Sequence, residues 1–279
     1  MPSSLSGQPL DAVYFETIFA HFQTSLALLD EIRRFYGKSL QLQTLAAANG
    51  QSRYQINLKT ETNTFESAMI DLNTDGNCIA AAAAHELLHL RQPIKGFPRV
   101  RSLSLNALHS RQTPLLTVSL DTIINLLDHD IFVTDFIALG YPLDSFIVPS
   151  AAKIGLHERE AKKFLKIHRA TPQALLWPFY IWWSIEYFRH FISIEHGVRD
   201  AQKLANNVLI WGGKALPEFS SVAKKIRAWI ALGEHRDPES YVSALQQLLA
   251  LTQMPRASSF AMIRSADGDA APRVEVLSG

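Results

Sequence analysis

The chain has 279 residues, of which 47% are apolar and 19% charged, with a formal net charge of +1. That balance suits a protein that buries a sizeable core, and it excludes the clustered basic excess of an electrostatic nucleic-acid binder. A single cysteine, Cys78, excludes an internal disulfide framework and a cysteine-rich zinc module.

In chain order, the opening MPSSLSGQPLDAVYF has neither a basic start nor an apolar signal core, so a cytoplasmic setting is expected. Residues 11–36 repeat apolar side chains at 3–4 spacing and stop at Gly37, which predicts an amphipathic helix. SRYQINLKT (52–60) alternates Tyr54, Ile56 and Leu58 with polar residues and predicts a strand, with a weaker one at 66–74. A turn at 75–77 leads into the alanine-rich run Ala80 to Ala84, which predicts a helix.

From residue 113 the pattern is helical. Thr113-Pro114 reads as a cap followed by a first-turn proline, and the helix is expected to end at Gly140. Further helices are predicted over about 150–167, 172–195, 197–209, 217–232 and 238–252. The uncharged run at 170–185 falls short of the roughly 20 residues a membrane span needs. The stretch from 256 to 279 lacks periodicity and is expected to be a flexible tail.

The resulting expectation is an α+β fold, mostly helical, with a small N-terminal sheet packed on the alanine-rich helix and an all-helical C-terminal half. Its expected division is 1–145, a helical subdomain at 146–255, and the tail.

The alanine-rich helix continues as His85-Glu86-Leu87-Leu88-His89. Residues four apart stand on one face of a helix, so both imidazoles address one ion, with Glu86 beside them. Two histidines and a glutamate at this spacing suit a zinc-bound water whose proton the carboxylate takes. After His89 comes LRQPIKGFPRV, with no third histidine, so the next ligand is expected from a later element. Within the helix predicted at 113–140, Asn125, Asp128 and His129 fall on one side, at i, i+3 and i+4. Asp128 and His129 lie 39 and 40 residues beyond His89, and either one completes a ligand set.

On His85, Glu86, His89 and the strands before them, the chain resembles the zincin metallopeptidases, of the gluzincin type, over about residues 50–140. The resemblance implies a Zn2+ cofactor, Glu86 as the catalytic base, a third ligand on a downstream helix, and a peptide or protein substrate. Asn125, Tyr187 and His190 are candidates to support a ligand or an oxyanion. Glu186 reads first as an internal partner of Arg189 or His190, and the basic flank around His157, Glu158 and Glu160 reads as a solvated helix face. Two other functions fit the same residues. One is a catalytically inactive zincin scaffold that binds or regulates a partner. The other is an enzyme whose Trp-rich segment makes peripheral membrane contact.

Overall fold

The computed structural model describes residues 8–9, 15–16, 18–36, 40–46, 52–59, 64–71, 79–105, 113–143, 158–163, 165–166, 177–198, 200–216, 218–264 and 273–278. Its elements run β1 (Gln8–Pro9), α1 (Gln23–Tyr36), β2 (Leu40–Ala46), β3 (Ser52–Lys59), β4 (Thr64–Asp71), α2 (Ile79–Ile94), β5 (Arg99–Leu103) and α3 (Thr113–Ala138). Then follow α4 (Trp177–Glu195), α5 (Ala201–Ala215), α6 (Phe219–Leu232), a 3-10 turn (Glu234–Arg236), α7 (Tyr241–Leu251), β6 (Ala257–Arg264) and β7 (Arg273–Ser278). The fold is α+β. The strands form one sheet ordered β1-β2-β3-β4 and another ordered β5-β6-β7.

Two compact units divide the chain: Met1–Arg99, Phe132–Phe146 and Phe260–Ser278 in one, Val100–Ile131 and Ile147–Ser259 in the other. In the first, β2, β3 and β4 form an antiparallel meander with Leu42 opposite Ile56 and Tyr54 opposite Ile70, and a register shift at Ile56/Asn57. Helix α2 packs on β4 and α1 packs on α2. The alanines explain the close approach: Ala80, Ala81, Ala83 and Ala84 are all buried, and their small side chains let the helix backbone lie near its neighbours. Helix α1 buries Leu28, Leu29, Ile32 and Tyr36 along one stripe, as its amphipathic spacing requires.

In the second unit α4 packs on α5 and α6, and α7 packs on α6 and on the 3-10 turn. Gly212 is required where α5 meets α6: a Cβ there would lie 2.6 Å from the Phe219 ring and 3.2 Å from Trp183. The Trp229 indole donates to the Ala244 carbonyl at 3.0 Å, tying α6 to α7.

Several boundaries differ from the sequence expectation. The first helix is regular only from Gln23; of the helix predicted over 172–195, residues 172–176 lie outside the described residues and the rest is helical as α4. Of the helix predicted at 150–167, residues 158–163, 165 and 166 are described and helical. Strand β2 was not predicted, because its alternation of Leu40 and Leu42 breaks at Leu45. The expectations of a flexible tail and an all-helical C-terminal half need correction, since 256–279 contains β6 and β7. Strand β6 buries Phe260, Ala261, Met262 and Ile263 in succession. A strand buried on both faces reads as a continuous apolar run and carries no period-2 signal. No helix among the described residues is long and apolar enough to cross a membrane.

Candidate metal centre

Helix α2 presents His85 and His89 one turn apart, with their Nε2 atoms 3.3 Å from each other. As a hydrogen bond, this contact needs one ring to carry its proton at Nε2 and the other to be bare. Two nitrogens at about 2.0–2.1 Å from one tetrahedral zinc stand about 3.3 Å apart, so the pair already has the separation that a shared ion demands.

Helix α3 supplies the third imidazole. Ligand nitrogens of His85, His89 and His129 all lie within 4.8 Å of one another, and this is the group among the described residues that could hold a metal ion. Its placement follows from an unbroken helix. One turn beyond His129, the fully buried Phe132 sets its edge against both α2 rings, 4.8 Å from His89 and 5.6 Å from His85. Phe136, a further turn on, packs edge-on to His85 at 6.4 Å. Edge-to-face contacts of this kind restrict the imidazoles to few orientations. Asp128 is not in the group and is buried at 2% exposure. Adjacent residues on a helix diverge by about 100°, so a helix that aims His129 at α2 turns Asp128 aside.

Glu86, next to His85, is partly buried. Burial pushes its carboxyl up to about 7, with the neighbouring His89 opposing the rise. A carboxylate that titrates near 7 is matched to accepting a proton at neutral pH.

Two salt-bridge networks fix the helices that carry these groups. Arg91 of α2 pairs with Glu31 of α1 at 3.0 Å and with Asp135 of α3 at 3.5 Å, and Lys95 also reaches Asp135. Next to His129, the Asp130 carboxylate accepts from His196 Nε2 at 2.8 Å, His235 Nε2 at 2.6 Å and Arg236 Nε at 2.8 Å. Arg236 also bridges to Glu195 at 2.8 Å. Burial alone would raise the Asp130 carboxyl, but the hydrogen bonds from His196, His235 and Arg236 outweigh it. They hold the group well below the usual carboxylate range.

The remaining sequence candidates fall elsewhere. Asn125 shares the helix face of His129 but stands one turn, about 6 Å, further toward the start of α3, where it is exposed and outside the group. The Tyr187 ring lies between Phe191 and Phe219, at 6.0 and 6.3 Å, and belongs to the aromatic packing of α4 and α6. His190 stands 3.6 Å from Glu186, which pairs with Arg189 at 3.0 Å, so this trio is the internal ion pair the sequence suggested. Glu158 and Glu160 pair with Lys162 and Lys163 on their own helix, as a solvated face does. Cys78 and His157 lie outside the described residues.

Asp130 stands in sequence among the polar residues of an apolar segment, which must be paired if buried, but its partners His196, His235 and Arg236 follow no spacing rule and were missed. Also missed was Arg99, which donates through Nη2 to the His89 carbonyl at 2.8 Å. A signal for that bond was present: Pro93 stands four residues after His89, inside α2. Comparison with family models, with curated proteins and with solved structures found no match for the chain.

Proposed function

We propose that the protein is a zinc-dependent peptidase of zincin type, with His85, His89 and His129 as metal ligands and Glu86 as the general base. The observation that carries this reading is the convergence of three imidazole nitrogens within 4.8 Å, beside a carboxylate on the next residue of the same helix. Among the described residues the group offers three histidines, a zinc donor set of the kind catalytic sites use with water in the fourth position. Zinc bound there would supply a water of lowered pKa and polarise a substrate carbonyl.

The protein's own part is positional and acid–base. Phe132 and Phe136 confine the imidazoles. Glu86 takes a proton from the attacking water and returns it to the leaving amine, a role its titration near 7 supports. Peptides are the substrate class the zincin resemblance favours.

The test joins metal analysis to cleavage of a mixed peptide library. Purified protein is expected to hold about one zinc per chain, as one tetrahedral site requires. Glu86→Gln is expected to retain the metal and lower cleavage by about 10²–10⁴-fold. A protein without metal, whose cleavage is unchanged by Glu86→Gln, rejects the reading.

A further inference from the structure

We propose that Arg99 is a positioning residue for His89, its guanidinium standing in for the helix amide that Pro93 lacks. This inference rests on the metal reading above. In a continuous helix the N–H of residue 93 would bond the carbonyl of His89. Proline has no N–H, so α2 reaches its metal-binding turn with one rung of the ladder removed. The carbonyl concerned belongs to a buried ligand residue, set between the fully buried Leu88 and the nearly buried Leu90. A buried carbonyl without a donor is costly, and a missing rung is a common place for a helix to bend.

Arg99 fills the gap. Its Nη2 donates to the His89 oxygen at 2.8 Å. The chain brings it there by a short return. After α2, Gly96 turns the backbone at φ +90°, and the Phe97 amide donates back to the Gln92 carbonyl at 3.1 Å. Strand β5 then opens on Arg99 itself. The next carbonyl, that of Leu90, accepts from the buried Tyr36 hydroxyl at 2.7 Å. Two side chains from outside the helix therefore hold consecutive carbonyls, that of His89 at the interrupted rung and that of Leu90 beside it. Guanidinium suits the task because it is planar, permanently charged and rich in fixed donors. Its removal frees the His89 peptide to tilt, and the imidazole moves with it.

The experiment is a double-mutant cycle on the full chain. Zinc affinity is measured by competition with a chromophoric chelator, and cobalt(II) absorption reports ligand geometry. Arg99→Gln is expected to weaken zinc at least about tenfold, the lower end of what losing a ligand's support costs. In the Pro93→Ala background the restored amide bonds the same carbonyl, and adding Arg99→Gln is expected to change affinity by less than about twofold, the usual additivity error. A merely structural arginine would lower thermal stability equally in both backgrounds, with no rescue.

Equal zinc losses in the two backgrounds, or no loss from Arg99→Gln alone, overturn the proposal. If Arg99→Gln does not fold, the double variant decides against Pro93→Ala: equal affinity supports the exchange of donors and a tenfold loss overturns it. If the unaltered chain binds no zinc, the metal reading fails first. The cycle is then read in thermal stability of the metal-free chain, where absence of coupling between Arg99 and Pro93 overturns the donor exchange itself.

Discussion

Alanine at His129 removes one of three converging imidazoles, and is expected to weaken zinc by more than the roughly 10–100-fold that loss of a supporting residue costs. Asn at Asp128 keeps the shape of a buried side chain outside the group, and is expected to leave zinc affinity within about twofold. Chelator competition on the two variants checks this pair, and the opposite ranking would make Asp128 the third ligand. Gly212→Ala tests packing at the same scale. Its methyl would meet the buried rings of Phe219 and Trp183, so a loss of about 1–3 kcal/mol in urea unfolding is expected. The meeting of His85 and His89 was legible because residues four apart share one face of a helix. Asp128 and His129 were not separable, since neighbours in sequence differ on a helix only in direction, and direction is set by what Phe132 and Phe136 pack against.

Among the elements, α3 was drawn closely by the sequence, from the Thr113 start to an end two residues short of Gly140. Its termini carry local signals, a cap and a glycine, whereas its internal Asp130 does not announce four hydrogen bonds to residues more than sixty positions away. Asp130 makes acid stability measurable. Its carboxyl is held below the unfolded value of about 3.9, so its contribution is complete above that value and declines as pH falls through it. Asp130→Asn is expected to cost about 3–5 kcal/mol near pH 6, because it breaks a buried charged cluster. Urea midpoints should show that difference shrinking as the pH is lowered toward 3. A difference that stays constant with pH would mean that the carboxyl is not depressed.

For the molecule as a whole, the α+β class was legible because helix and strand periods are distinct wherever one face is buried. The C-terminal strands were not, because β6 hides both faces and leaves only an apolar run. Truncation after residue 255 would delete the buried Phe260, Met262 and Ile263, each worth about 1.5–3 kcal/mol of burial. Loss of cooperative thermal unfolding is the expected result, checked by calorimetry. A truncated chain with unchanged melting would show that β6 is dispensable.

Helix α3 also limits how this sequence can change length. Asp130 is pinned by His196, His235 and Arg236, and Asp135, five residues on, is pinned by Arg91 and Lys95. One extra residue between them would leave the segment helical yet rotate one anchor against the other by about 100° and shift it by about 1.5 Å. A one-residue insertion between Asp130 and Asp135 is therefore expected to break one of these two sets of ion pairs, whereas substitutions that keep the length preserve their register.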